Sequence, residues 1–559
     1  MRQKILIGLS FIICHLSFTV SHAQPSWVKK AAKSVFTVKT FADDGTLLGS
    51  ATGFFTSDDG EAMSSYMPMK GAYRAVVIDA SGKEATVKEI LGASETYDVV
   101  KFRVEAKKTT PLAMATEKQP VGSTVWLLPF RETKQPVQGN VTGAETFNGE
   151  YEYLTISMKA PEGNIGAPVM NETGQAVGLL QSSDGQKSNV SYAVSARFVD
   201  SLKITGLSIN DPVLRAINIK KALPADYSQA QLMLYLASAQ MDSIQLTQLA
   251  DEIIAAFPEE ADGYIYRAQI AASGKNYAEA DQFVDKAIGV SRQKDDVHYA
   301  YSRMILQKMV SDASSDYPSW TFGKALQEAE TAYALNPLPA YREQQARTLF
   351  AEKRYGEAGK IYEELTKTSL RSHELFYTAS QCRVLSGDTV GQLALLDSAV
   401  AMFSKPYLKE AAGPLVARAQ AREAAGLHRE AVSDYNEYEQ LMATQVNAYF
   451  YYLRHQAEMG GRLYQQALND ITKAAEKEPG NDVYITEKAS LEVRFGLYDQ
   501  AIETAHECIS RFPDLSDGYL FLGVAQCLSG KKTEGVSNLK RAGELGDEQA
   551  EALIEKYGK

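Results

Sequence analysis

His506 and Cys508 bring together an imidazole and a thiol, the ligand types of zinc sites. Two residues apart on a helix they project to different faces, and no second cluster accompanies them, so packing is the expected role and no metal is expected. Gly530-Lys531-Lys532-Thr533 has the ending of a phosphate-binding loop. The glycine such a loop needs five residues earlier is Ala525, however, and no strand precedes it, so a turn between two helices is expected. Cys382, Cys508 and Cys527 follow the N-terminal leader. The last two fall on neighbouring predicted helices, where they either pair in an oxidising compartment or sit as small buried residues. Tyr449-Phe450-Tyr451-Tyr452 covers every face of a helical turn, so some rings face outward. The observation with the widest consequence is an absence: no histidine stands between Gln24 and Val297. That stretch lacks the one side chain whose ordinary pKa suits a general base at neutral pH. No cofactor is expected.

Two kinds of element carry these residues. From about Val35 to Leu202, short β-branched and aromatic runs (SVFTVKTF, ATGFFTS, YRAVVIDA, VVKFRV, STVWLLPF, YLTISM, QAVGLLQS, SYAVSA) alternate with Asp-Gly, Ser-Gly, Thr-Gly and Asn-Gly turns, which predicts an all-β barrel or sandwich. After Pro224 the texture changes to Ala, Leu, Glu, Gln, Tyr and Lys at helical spacing, an all-α half. Residues 205–223, with Asn210-Asp211-Pro212, are the expected linker. The predicted domains are thus a β domain over 24–204 and helical repeats over 224–546, followed by a capping helix over 547–559.

Before them, Arg2 and Lys4, an uncharged apolar run from Ile5 to Val20, and Ser21-His22-Ala23 predict a secretory signal peptide over 1–23. Ile13 precedes Cys14 where a lipoprotein signal carries a small residue, so the cysteine is read as part of the removed segment. No later stretch is apolar enough to span a membrane, and a bacterial periplasm is the expected location. Lys plus Arg number 58 against 69 Asp plus Glu, a net charge of −11 that speaks against nucleic acid as a partner. The imbalance lies in the helical half: residues 24–205 hold 19 basic and 20 acidic side chains, residues 206–559 hold 37 and 49.

The helical half repeats itself. Small residues recur at Ala280, Ala325, Ala358, Ala394, Ala431, Ala467, Ala501 and Gly535, a second column holds Ala268, Ala346, Ala419, Ala489 and Gly523, and a third holds Pro337, Pro479 and Pro513. A small residue on each of two helices lets their backbones approach, and proline ends the second before the next pair begins. LHREA, LYQQA and LYDQA, starting at 427, 463 and 497, each open a second helix. This period resembles the tetratricopeptide repeat (TPR), whose first-helix aromatic is matched by Tyr264, Tyr484 and Tyr519. The resemblance implies a solenoid with a groove for protein or peptide partners.

The β half resembles the trypsin-like serine proteases of the HtrA (DegP-like) type. GSATGFFTSDDGEA (49–62), TYDVVKFRV (96–104), GSTVWLLPF (122–130), GNIGAPVMNETGQAVGLL (163–180) and SYAVSA (191–196) follow that family's order, and the resemblance implies a trypsin-like double barrel. Carried over residue by residue, the triad aspartate is Asp98, the histidine position falls at Met67 or Tyr66, and the nucleophile position is Ile165, where GNIGAP replaces GNSGGP. Triad chemistry needs a hydroxyl, an imidazole to take its proton and a carboxylate to orient the imidazole. No catalytic residues are therefore expected, while Gly163, Asn164 and Ile165 retain a turn able to bind a carbonyl or carboxylate. Ser64, Ser65, Ser182 and Ser183, with Lys70 as a base, are the residues of a serine-lysine alternative.

The resulting expectation is an exported, non-catalytic interaction scaffold in which a pseudoprotease barrel is joined to a peptide-binding TPR solenoid. The alternatives are an active trypsin-like serine endopeptidase with a displaced nucleophile, and a helper subunit delivering substrates to an envelope protease or assembly machine.

Overall fold

The computed structural model describes residues 25–130, 135–161, 163–182, 189–312 and 316–557. The expected signal peptide and Ser183 lie outside them. The chain divides into two compact units at Val290 and Ser291.

In the first unit a short helix α1 (Val28–Ala31) precedes twelve strands: β1 (Val35–Phe41), β2 (Leu47–Phe55), β3 (Glu61–Ser64), β4 (Arg74–Ile78), β5 (Glu84–Ser94), β6 (Val99–Val104), β7 (Thr124–Leu127), β8 (Val137–Phe147), β9 (Tyr151–Ile156), β10 (Pro168–Met170), β11 (Ala176–Leu180) and β12 (Ser191–Ser195). They close into two antiparallel barrels, β1-β2-β3-β6-β5-β4 and β10-β11-β12-β9-β8-β7. Each barrel has the same strand order when read from its own first strand, so the double barrel expected from the sequence is the observed fold. Alternation places Val125, Leu127, Leu154, Ile156 and Val169 inside the second barrel. Val35, Phe54, Met63, Leu128, Met170 and Leu179 fill the layer between the two.

Residues 205–223 are a packed strap. A 3₁₀ turn (Gly206–Asn210) and helix α2 (Pro212–Arg215), capped by Asp211 accepting from the Val213 N–H at 2.8 Å, carry the chain onto the first barrel. Backbone bonds then fix it: the Ile90 N–H donates to the Lys220 carbonyl at 2.8 Å and the Ala222 N–H to Ile90 at 2.9 Å. Leu214, Ile217 and Ile219 enter the core of the first barrel. The same core takes in α3 (Tyr227–Ser238) and α4 (Ser243–Ala256) through Met233, Leu234, Leu249 and Ile253. The apolar spacing of the strap, Leu214-x-x-Ile217-x-Ile219, is the reason it does not behave as a free tether. Helices α5 (Asp262–Ser273) and α6 (Tyr277–Val290) complete this unit.

The second unit is all helical: α7 (Lys294–Ser311), α8 (Phe322–Leu335), α9 (Pro339–Ala351), α10 (Tyr355–Leu365), α11 (His373–Leu385), α12 (Gln392–Ala401), α13 (Ala412–Ala424), α14 (His428–Met442), α15 (Ala448–Gly460), α16 (Tyr464–Lys477), α17 (Asp482–Arg494), α18 (Tyr498–Arg511), α19 (Ser516–Leu528), α20 (Lys532–Glu544) and α21 (Ala550–Tyr557). Within this unit each helix packs mainly on its neighbours in the chain. In the two units Ala268, Ala280, Ala325, Ala346, Ala358, Ala419, Ala431, Ala467, Ala489 and Ala501 are all buried. In the last hairpin both backbones touch, since a Cβ on Gly523 would lie 2.8 Å from the Gly535 carbonyl oxygen. Pro337, Pro479 and Pro513 stand in the breaks after α8, α16 and α18. Lys531 and Lys532 open α20 after a left-handed Gly530, so GKKT is a helix-hairpin turn. Cys382, Cys508 and Cys527 are free, buried thiols; Cys508 faces Gly518 and Cys527 faces Gly535, and no bond joins them. Tyr449 is exposed while Phe450 and Tyr451 are buried.

A buried polar column runs between paired helices of this unit. Arg418 of α13 grips Asp434 of α14 at 2.7 and 2.8 Å, and one repeat later Arg454 of α15 grips Asp470 of α16 at 2.5 and 3.1 Å. Arg454 also reaches Glu439 at 2.7 Å, so one guanidinium serves two carboxylates. A third carboxyl, Glu458, has one oxygen 3.8 Å from Arg454 and its other oxygen buried without a hydrogen-bond partner. Burial, with Asp470 nearby, pushes Glu458 up to about 8. A raised carboxyl pKa favours the fold while the group is protonated, below the unfolded value, and that contribution is lost as pH rises through about 8. Glu458→Gln is therefore expected to leave stability nearly unchanged at pH about 5 and to raise the melting temperature above wild type by a growing margin up to pH about 8. Differential scanning calorimetry across that range measures the margin, and a constant difference would exclude this titration.

Candidate functional site

The sequence-derived site positions converge on the edge of the first barrel. Asp98, in the turn before β6, has φ +46°, the left-handed region that Asp and Asn tolerate better than other side chains. The Ser65 hydroxyl lies against both carboxylate oxygens at 2.7 and 2.9 Å, and the Met67 N–H donates to Oδ1 at 2.8 Å. Burial raises the Asp98 pKa, and these hydrogen bonds partly offset that rise.

Of the two candidates for the base position, Tyr66 is fully buried, its hydroxyl donating to the Val213 carbonyl at 3.2 Å. Met67, bonded to Asp98 through its backbone, is 56% exposed. Met67 is thus the side chain presented to solvent beside the carboxylate, and a thioether has no proton affinity at neutral pH.

Ile165 is 38% exposed, and its loop is tied to the first barrel by a chain of bonds. The Ile165 carbonyl accepts from the Thr52 N–H at 2.9 Å, the Gly163 carbonyl accepts from the Thr52 hydroxyl at 3.3 Å, and the Thr52 carbonyl accepts from the Ser64 hydroxyl at 2.7 Å. Gly166, at φ +85°, closes the contact: a Cβ there would sit 2.1 Å from the Thr52 oxygen, which only glycine avoids. The carbonyls of the loop are therefore turned inward. Gly163 is left-handed at φ +77°, and the N–H groups of Gly163 and Ile165 donate to nothing among the described residues. Asn164 is buried and holds the loop from within, its side-chain amide donating to the Pro161 carbonyl at 3.1 Å. Two free amides beside a left-handed glycine form an anion- or carbonyl-binding nest.

Ser64 and Ser65 do not form a serine-lysine pair with Lys70. Ser64 and Ser65 are buried, with their hydroxyls committed to Thr52 and Asp98. Lys70 pairs with Glu95 at 2.8 Å, and that carboxylate raises its pKa, the direction opposite to what a base requires. The sequence reading missed the structural use of the Ser64-Ser65 doublet. The available signal was its position at the buried end of β3, where a hydroxyl must find a partner.

Residues 51–179 match the family model of the trypsin-like peptidase domain. Among solved structures the chain is similar to the Rv3671c protease from M. tuberculosis in its active form, at 18% identity over 36% of this chain and 86% of that one, with a TM-score of 0.29. It is also similar to the serine endoprotease from Yersinia pestis, at 16% identity over 34% of this chain and 65% of that one, TM-score 0.28. A third similar structure is the HtrA-type protease AlgW with tripeptide, at 15% identity over 31% and 60% of the two chains, TM-score 0.28. No curated protein matches the sequence.

Replacing Asp98 separates its two structural contributions. Asp98→Asn keeps a residue suited to φ +46° and an acceptor for Met67, and its stability is expected within about 1 kcal/mol of wild type. Asp98→Ala strands the Ser65 hydroxyl and the Met67 N–H and is expected to cost about 1–3 kcal/mol. Urea unfolding of the two variants measures the difference; a loss in Asp98→Ala no larger than that in Asp98→Asn, with both under about 1 kcal/mol, would show that the carboxylate does not hold this corner.

Proposed function

We propose that this chain is an exported, non-catalytic interaction protein: a pseudoprotease double barrel whose cleft captures peptide, followed by TPR-type helical repeats that present a second binding surface. The observation that carries this reading is the pair Met67 and Ile165. Each is exposed at a position where acyl transfer needs a base or a nucleophile, while the Asp98 corner and the Gly163–Ile165 amides remain in place. An apolar pair beside two free amides can hold a peptide carbonyl and an aliphatic side chain, and it supplies neither a nucleophile nor a proton acceptor. The absence of any histidine from Gln24 to Val297 extends the same conclusion to displaced arrangements that use imidazole. The helical repeats support the scaffold part of the reading through their buried alanine columns and the acidic surplus of that half, which suits a basic or neutral partner. The N-terminal run from Ile5 to Val20 supports export, with a bacterial periplasm as the compartment.

Restoring the missing groups tests the reading. In Met67→His/Ile165→Ser the new imidazole lies next to Asp98 and the new hydroxyl lies beside the free amides. This double variant is expected to react with a fluorescent fluorophosphonate at least about tenfold faster than either single variant, because triad members act as a unit. In-gel fluorescence reads the labelling. Wild-type protein labelled as fast as the double variant would mean that a working nucleophile already exists.

A further inference from the structure

Away from the cleft, the first unit contains an open cavity of about 680 Å³ between the strap and helices α3 and α4. Its size falls within the roughly 300–1,000 Å³ of small-molecule sites. Its apolar wall is aliphatic and thioether throughout, with Ile209, Leu223, Met233 and Met241 among the lining side chains and no aromatic ring among them. Methionine adapts to flexible chains, whereas a pocket built for flat rings usually offers rings of its own.

The polar groups of the cavity have a definite sign. Lys220 is paired with Glu252, the one carboxylate in the lining, at 2.6 Å. Lys221 has no such partner among the described residues: its ammonium donates to the Ile217 carbonyl, and burial alone pushes its pKa down. Two of its three N–H donors remain for another group. Arg215, exposed at the cavity rim, also makes no ion pair among the described residues. A partly desolvated cation without a counter-ion, facing an aliphatic wall in a chain of net charge −11, is a recognition element for an anion that brings its own hydrocarbon.

We propose that this cavity binds a single-chain fatty acid, its carboxylate held by Lys221 and Arg215 and its acyl chain lying along Met233, Met241, Ile209 and Leu223. The proposal does not depend on whether the barrel cleft is catalytic. It gives a lipid-derived anion a means to act on the first unit, because the cavity wall is continuous with the core that joins the strap and α3–α4 to the first barrel.

The test uses the full chain labelled with ¹³C at methionine methyls, with sodium decanoate and uncharged 1-decanol as probes. Decanoate is expected to shift the Met233 and Met241 signals and to leave Met67 unmoved, with decanol binding about tenfold more weakly. Lys221→Met keeps the aliphatic stem and removes the charge. It is expected to weaken decanoate by about tenfold with decanol unchanged, and its Met67 signal reports that the barrel corner is intact. The proposal is overturned by any of four results: no shift at about 1 mM decanoate, shifts centred on Met67, decanoate affinity unaltered in Lys221→Met, or stronger occupancy by a peptide with a C-terminal leucine carboxylate.

Discussion

Two hydrogen-bonded links, Ile165–Thr52–Ser64 and Ser65–Asp98–Met67, joined through the Ser64-Ser65 peptide, are the constraint on which the rest of the site depends. Thr52 receives the loop of the second barrel, the Ser64-Ser65 pair turns β3 toward the carboxylate, and Asp98 anchors the backbone of Met67. Every member is a backbone group or a short hydroxyl or carboxylate side chain, and its middle residues Thr52, Ser64 and Ser65 are buried, so the path is stiff and leaves little room for alternative rotamers. Gly166 adds a steric lock, because its missing Cβ is what lets the Thr52 carbonyl approach. The corner is thereby held rigid, and the two exposed side chains at its ends are a thioether and a branched alkane.

That separation of scaffold from reaction has a physical logic. A half-buried carboxylate left without its donors destabilises the fold, so Asp98, Ser65 and the Met67 amide are held together by structural need whether or not chemistry occurs. Exposed positions carry no such need. Methionine at 67 and isoleucine at 165 are accommodated because their side chains are exposed, where packing places little demand on side-chain type. The same division appears in the helical unit, where buried alanines and the Arg418 and Arg454 ion pairs fix the helix spacing and the exposed faces are free to vary.

The β-barrel architecture was legible in the sequence because its signals are local: β-branched runs of strand length, and turns such as Asn148-Gly149, both of which are left-handed in the structure. The helical half was legible through its columns of small residues, since close backbone approach tolerates only Ala and Gly. Met67 and Ile165 were singled out by their place in an ordered set of motifs, and the structure shows both side chains exposed. Several features could not be read in advance because they depend on contacts between segments distant in sequence. Strap residues 205–223 resembled a linker through Asn210-Asp211-Pro212, yet Ile217 and Ile219 are core residues of the first barrel. Ser65 looked like a candidate nucleophile until its bond to Asp98, 33 positions away, revealed a clamp. Whether Met67 or Tyr66 faces the cleft is a question of one backbone turn, which composition does not determine. The Arg454–Asp470 column repeats with the helical period but is carried by polar residues, which a search for apolar spacing passes over.

The central claim, that the cleft binds without cutting, is tested most directly by incubating the wild-type protein with fluorescein-labelled unfolded casein and following anisotropy and intact mass on the same sample. The account predicts a stable rise in anisotropy with casein recovered at full mass. Casein fragments that accumulate with time, and whose formation is abolished by substituting a serine of the barrel unit, would contradict it.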